Sequence, residues 1–131
     1  MNGHTSKIVR KRLHNQQLNS TKFKTPVEII SWLGAIQGQD FSGAKWAVGL
    51  RLPGSTDADL EQAFANKTIL RTWLMRGTLH LVAAEDIYWM LELIAPRIIK
   101  SNTRRYLELE LDDQTLNHSN QILKDTLKDR E

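Results

Sequence analysis

Two glutamines, Gln37 and Gln39, are the side chains with the clearest chemical potential, and they flank Gly38. A side-chain amide donates and accepts hydrogen bonds but does not take up a proton near neutral pH. Such a pair could hold and orient a water molecule or a polar ligand, but it could not serve as a general acid or base. The simpler alternative is that a glutamine at the end of a helix satisfies loose backbone carbonyls.

Cysteine and histidine chemistry is poorly represented in the sequence. The chain has no cysteine, and its four histidines do not show the spacing of metal ligands. A disulfide framework and a thiolate metal site are therefore excluded, and we expect neither a metal nor an organic cofactor. No apolar run approaches the roughly 18 residues that a membrane span requires. We expect a cytoplasmic protein with no membrane partner.

Charge is distributed unevenly along the 131 residues. Residues 1–24 carry six basic groups and no acid, whereas residues 107–131 carry a net charge of −4. The basic segment could neutralise the phosphates of a nucleic acid, or it could be a solvated leader. Charge alone leaves both interpretations open.

Start signals and apolar periodicity predict three short helices in the middle of the chain. The first should end near Gly38, the second should cover residues 43–50, and the third should begin after Ser55 or Thr56. A capping box with proline at the first helical position marks the start of the first helix. Its cap, first-position and third-position residues are Thr25, Pro26 and Glu28.

The residue composition changes after these helices. Residues 68–75 and 78–82 are rich in β-branched and large apolar side chains, with Arg76 and Gly77 between them, which predicts a β-hairpin. Three helices followed by a hairpin is the order of a winged helix-turn-helix. The predicted fold class is mainly α with a small β-hairpin, in which a winged helix-turn-helix is followed by two further helices.

The predicted organisation has three parts. Residues 1–24 form a basic N-terminal arm or helix, residues 25–83 a winged-helix unit, and residues 84–131 a helical extension. The last helix should be capped by Asp112 or Asp113 and shows no stop signal. Its inward face is predicted to consist of Leu116, Leu123 and Leu127. An unfinished apolar end of this kind could pair with a second copy, which predicts a homodimer.

Several stretches of the sequence, taken in their order along the chain, resemble the N-terminal portion of the members of a bacterial winged-helix DNA-binding family. That family includes DNA glycosylases for bulky alkylated purines and for interstrand crosslinks. Its members are much longer and carry tandem winged-helix units, so the resemblance implies that the helical extension is truncated relative to them. The stretches are Leu-Gly-Ala-Ile-Gln-Gly-Gln-Asp at 33–40, Ala-Lys-Trp-Ala-Val-Gly-Leu-Arg at 44–51, Leu-Arg-Thr at 70–72, Met-Arg-Gly-Thr at 75–78, His-Leu-Val at 80–82, Glu-Asp-Ile at 85–87 and Ala-Pro-Arg at 95–97.

The resemblance also implies a role for the two glutamines. In characterised glycosylases of the family, a Gln-x-Gln or Gln-x-Asp motif acts at the lesion, and Gln37 and Gln39 match the first form. A purine alkylated at N7 is already cationic, so its glycosidic bond is weak and the departing base needs no general acid. What remains is to position a water near the sugar C1′, and a side-chain amide can do this.

Basic side chains near the predicted hairpin and second helix are candidate contacts to double-stranded DNA. A solvated surface explains most of them nearly as well, and a buried, hydrogen-bonded position is the alternative for the histidine. The candidates are Lys45, Arg51, Arg71, Arg76 and His80.

Two positions depart from the family pattern. Trp73 stands where the family usually has a histidine, and Leu79 stands where it usually has a tryptophan, so no family role carries over to either. All four tryptophans are predicted to lie in the core rather than to stack on bases. They are Trp32, Trp46, Trp73 and Trp89.

The leading hypothesis is a DNA-binding winged-helix module of a DNA glycosylase-like protein, which excises N7-substituted purines if it is active. One alternative is a non-catalytic DNA-binding or regulatory winged-helix protein. Another is an inert, self-associating fragment of a longer protein. Base release from an alkylated duplex distinguishes the first hypothesis from both alternatives.

Overall fold

The computed structural model describes residues 3–128 and divides into two compact units, one up to Ile94 and one from Ala95 onward. A basic helix begins the first unit, which is one of the two forms predicted for residues 1–24. The boundaries of the three predicted segments stay a prediction. The elements are α1 (Gly3–Asn15), α2 (Pro26–Leu33), β1 (Ile36–Gln37), α3 (Phe41–Gly49), α4 (Asp57–Ala65), β2 (Ile69–Trp73), β3 (Leu79–Ala83), α5 (Ile87–Ser101), α6 (Thr103–Glu108) and α7 (Asp113–Leu127).

The core of the first unit is built on both faces of a small antiparallel sheet with strand order β1-β3-β2. Successive side chains of a strand point to opposite faces. Leu81 of the central strand therefore packs with residues of α2, α3 and α4, such as Ile30 and Val48, whereas Val82 packs with Met90 of α5. The central strand anchors the helices on both sides, which confirms a mainly helical fold with a small antiparallel hairpin.

Helix α2 is shorter than predicted, and this difference positions the two glutamines. The predicted capping box is present, with Thr25 and Glu28 in reciprocal hydrogen bonds. The helix nevertheless ends at Leu33 rather than near Gly38, because Gly34 adopts a left-handed φ of 77°. The chain then extends and pairs with β3. The sheet consequently has three strands rather than the two of the predicted hairpin.

Helices α3 and α4 begin at residues with strong capping chemistry. The Asp40 Oδ1 accepts a hydrogen bond of 3.0 Å from the Gly43 N–H. Thr56 rather than Ser55 caps α4, and the Asp59 carboxylate accepts hydrogen bonds from the Thr56 backbone N–H and hydroxyl. Both caps satisfy backbone donors that a helix cannot satisfy internally.

The cap of α4 predicts an acid-sensitive contribution to stability. Hydrogen bonds from Thr56 hold the pKa of Asp59 below its ordinary value of 3.8. Because the folded-state pKa is depressed, this contribution is complete above that value and is lost as the pH falls through the folded-state pKa. We expect Asp59→Asn to lose less unfolding free energy than the wild type between about pH 5 and about pH 2.5, measured by urea denaturation. Equal losses in the two proteins would contradict this account.

The second unit contains one more helix than the sequence analysis predicted. Residues 107–111 alternate in polarity, yet α6 covers the first two of them and the chain turns at Glu110, whose φ is 55°. Asp112 caps α7 as predicted, and its Oδ1 lies 2.7 Å from the Thr115 N. Leu123 and Leu127 are exposed rather than inward-facing, and the predicted homodimer stays a prediction.

None of the four tryptophans lies in the core, so their predicted burial was wrong. Their exposed fractions range from 43% for Trp32 to 71% for Trp46. The core instead uses smaller branched side chains.

Within residues 3–128, no helix combines the length and apolar character needed to cross a lipid bilayer.

Candidate functional site

The Gln37–Gln39 segment forms one edge of the sheet of the first unit. Gln37 is the last residue of β1 and lies opposite His80 of β3. Its side chain is exposed, so its amide is accessible to a ligand. The prediction that Gln37 ends a helix was therefore wrong, and its amide does not serve as a helix C-terminal cap.

Gly38 continues the pairing and approaches β3 closely. Its N–H donates to the Leu79 carbonyl at 2.8 Å. A Cβ atom at this position would lie 3.3 Å from Leu81 Cδ2 and 3.4 Å from the Leu81 backbone nitrogen. The small residue between the two glutamines is thus explained by close contact with the central strand.

Gln39 completes the ladder through its side chain. The Leu79 N–H donates to Gln39 Oε1 at 3.3 Å, where an edge strand would ordinarily supply a backbone carbonyl. This bond uses only one lone pair of the amide oxygen and neither hydrogen of the amide nitrogen. Gln39 is therefore held in place and can still bind a ligand.

Arg71 fixes the same segment from the opposite edge of the sheet. Its Nε donates to the Gly38 carbonyl at 2.9 Å, and its Nη2 lies 3.4 Å from the Gln39 carbonyl. Its guanidinium also lies over the Phe41 ring, 5.2 Å from the ring centroid. Arg71 was predicted to contact DNA, and that role stays a prediction. In the structure its contacts hold the Gln37–Gln39 segment.

Loss of the Arg71 contacts should loosen this segment without unfolding the protein. We expect Arg71→Met to speed amide hydrogen exchange at Gly38 and Leu79 about tenfold, because a hydrogen bond from a charged donor contributes on the order of 1.5–3 kcal/mol and this one is partly solvated. The matched control is Arg76→Met at the hairpin turn. Unchanged exchange in the Arg71 variant would show that Arg71 does not hold the segment.

Of the two remaining hairpin candidates for DNA contact, Arg76 is exposed and His80 is buried. Arg76 is exposed at the turn, with a left-handed φ of 56°. His80 is only 3% exposed, and its Nδ1 lies 2.9 Å from the Thr78 carbonyl. A carbonyl partner requires the proton on Nδ1. The structure therefore has the alternative arrangement considered for His80, a buried and hydrogen-bonded histidine.

Lys45 is committed to contacts within the protein. Its Nζ forms ion pairs with Asp57, at 2.8 Å, and with Glu61. These carboxylates raise the pKa of Lys45, with the hydrogen bond to Asp57 as the largest cause. The ammonium already has two carboxylate partners, which disfavours a phosphate contact.

Arg51 is similarly occupied. Its Nη1 donates to the Ala47 carbonyl at 2.7 Å, at the end of α3, and its Nη2 donates to Gln16 Oε1 at 3.2 Å. Partial burial lowers the pKa of the guanidinium. Arg51 thus connects α3 to the segment after α1, and these contacts also disfavour a phosphate contact.

Trp73 lies near this site and is exposed, although it was predicted to lie in the core. It ends β2, pairs with Leu79 across the sheet and is 61% exposed. Its position two residues after Arg71 was the available signal, because the two side chains share a face of the strand.

In the described part of the chain, no group of three or more histidine, aspartate or glutamate side chains is placed to hold a metal ion.

Comparison with known proteins identifies the family. Residues 30–131 match the AlkZ-like family model, described as DNA glycosylase AlkZ-like. No curated protein matches this sequence. A similar solved structure is the Streptomyces sahachiroi DNA glycosylase AlkZ, with 25% sequence identity and a TM-score of 0.58 over 83% of this chain. The chain spans only 27% of that protein's length. Because the family model covers most of the sequence, the chain belongs to the AlkZ-like DNA glycosylase family.

Proposed function

We propose that this chain is a DNA-binding winged-helix module of the glycosylase type. In this proposal it binds duplex DNA and releases purines alkylated at N7, with Gln37 and Gln39 at the lesion. The observation that carries the proposal is the fixed conformation of the Gln37–Gln39 segment. Arg71 and Leu79 hold its backbone and the Gln39 amide, while the Gln37 side chain remains exposed.

The element order supports the winged-helix part of this proposal. The sequence α2, β1, α3, α4, β2, β3 gives three helices, a short strand between the first two, and a terminal hairpin. In a winged helix-turn-helix, the third helix usually enters the major groove, and the hairpin is the wing. Here α4 is the third helix of that arrangement, and β2 and β3 form the wing.

Charge indicates that DNA approaches the hairpin rather than α4. Helix α4 carries three carboxylates and no basic residue. Phosphates would be repelled by this helix, because Lys45 balances only part of its charge. The hairpin instead carries Arg71 and Arg76, and it borders the two glutamines. We therefore place the DNA along the edge formed by the hairpin and the Gln37–Gln39 segment.

The proposed reaction is hydrolysis of the bond between the sugar C1′ and N9 of a cationic purine. The electron pair of that bond goes to the departing base, which leaves as a neutral molecule. Water adds to C1′, and its released proton passes to solvent, because an amide side chain does not accept it. The glutamines act by holding the water and the sugar in position, which can lower the barrier by several kcal/mol.

The test is base release by the full 131-residue chain from a duplex that contains one 7-methylguanine. A duplex of the same sequence with guanine is the control. We expect release above the spontaneous rate from the first duplex and none from the second. Binding of both duplexes without release would support the non-catalytic DNA-binding alternative instead. Failure to bind either duplex would contradict the proposal as a whole.

A further inference from the structure

Trp73 is an exposed aromatic side chain in a place where the fold does not require one. The residue is 61% exposed, and the neighbouring Leu74 is the one that packs into the core. An indole group that remains largely in water loses most of the favourable free energy of burial. At the end of β2 the indole is therefore available for contact with a ligand.

The register of the sheet places Trp73 and Gln39 on either side of the same residue of the central strand. Leu79 is shared between them, since its N–H donates to Gln39 Oε1 on one side and its cross-strand partner on the other side is Trp73. Adjacent strands lie about 4.8 Å apart, and Gln39 Oε1 lies 3.3 Å from the Leu79 nitrogen, so the Trp73 backbone and the Gln39 amide oxygen are separated by roughly 8 Å. A nucleotide could contact both residues at this separation.

Arg71 shares the strand face with Trp73 but is directed elsewhere. Its guanidinium donates to the Gly38 and Gln39 carbonyls and lies over Phe41. These contacts hold the guanidinium at the Gln37–Gln39 segment, and the Trp73 indole is exposed. The electron-rich face of an indole attracts cations more strongly than any other aromatic side chain does.

We propose that Trp73 is a stacking surface that selects a cationic, N7-alkylated purine over a neutral purine. This inference rests on the proposed function and adds a specificity-determining residue to it. A purine alkylated at N7 carries its positive charge within the ring system, so stacking on the indole combines an aromatic contact with a cation–π attraction. A neutral purine gains only the first of these. Gln37 and Gln39 position the water, and Trp73 recognises the charge of the base.

The experiment compares binding of a duplex with 7-methylguanine and the same duplex with guanine. A 2′-fluorine on the sugar of the modified nucleotide blocks base release, so fluorescence anisotropy reports binding alone. We expect the preference for the methylated duplex to fall about tenfold in Trp73→Leu. Trp73→Phe should retain part of the preference, because phenylalanine offers a weaker aromatic face. The matched control is Trp46→Leu, which removes an indole that is 71% exposed on α3 and should leave the preference unchanged.

The outcomes separate this inference from the proposed function. An unchanged preference in Trp73→Leu would overturn the inference, and so would an equal loss of affinity for both duplexes. If base release still depends on Gln37 in that case, the proposed function stands alone. If the wild-type chain shows neither release nor preference, both fail. Melting temperatures of the variants within a few degrees of the wild type would establish that all of them are folded.

Discussion

The Gln37→Ala variant is expected to release 7-methylguanine about 100-fold more slowly than the wild-type chain, with little change in DNA affinity. A displacement of about 1 Å at a reacting centre can cost a factor of this size. Removal of the amide would leave the attacking water without one of its two anchors. The side chain is exposed at the end of β1, so its loss should not disturb the core. The measurement is the single-turnover rate of base release at saturating protein.

The control for this prediction is Gln114→Ala, which removes an exposed glutamine from α7. Its release rate should equal that of the wild type. Gln39→Ala should also slow release, and it should in addition speed amide exchange at Leu79, because the Gln39 side chain accepts the Leu79 N–H. Equal rates for Gln37→Ala and the wild type would remove Gln37 from the proposed site.

The Leu81→Ala variant should lose about 3 kcal/mol of unfolding free energy, within the range of about 2–5 kcal/mol found for buried leucines. Leu81 is 0% exposed, lies on the central strand and packs against α2, α3 and α4. Truncation would leave a cavity at the junction of these elements. The loss is large for a domain whose total stability is on the order of 5–15 kcal/mol. Urea denaturation followed by far-ultraviolet circular dichroism measures it.

The matched control is Leu93→Ala on α5, where the leucine is 71% exposed. Its effect should remain within about 0.5 kcal/mol, as expected for a surface substitution. A Leu81→Ala effect as small as that of the control would contradict the assignment of Leu81 to the centre of the core.

Local signals in the sequence were sufficient for most helix starts. At the start of α2, α4 and α7, a side-chain oxygen of Thr25, Thr56 or Asp112 accepts from the backbone N–H three residues later. This chemistry depends only on neighbouring residues. Thr25 was predicted as a cap, and Thr56 and Asp112 were each one of two predicted caps; all three cap their helices in the structure. Element type could be predicted wherever the determining contacts are short-range.

Strand β1 could not be predicted because its determining contacts are long-range. Ile36 and Gln37 pair with Leu81 and His80, and nothing within residues 30–40 specifies that pairing. Helical periodicity around Ile36 therefore extended the predicted helix too far. Tertiary pairing overrode the local pattern, and it changed the setting of Gln37 from a helix end to a sheet edge.

The site was predictable only in part, for the same reason. Gln37 and Gln39 were identified through family resemblance, and their roles stay predictions. The hydrogen bonds of Arg71 to the Gly38 and Gln39 carbonyls depend on the three-stranded register, which the sequence does not reveal. Trp73 was assigned to the core from the average behaviour of tryptophan, whereas it lies exposed at the end of β2.

The long reach of the Arg71 and Leu79 contacts has a consequence for biosynthesis. The hydrogen bond from Arg71 to Gly38 spans 33 residues, and the one from Leu79 to Gln39 spans 40. During translation the two glutamines leave the ribosome well before the strands that hold them, so the nascent chain carries the motif without its geometry. The site can take shape only when β3 inserts between β1 and β2, which makes its assembly a late and cooperative event in folding.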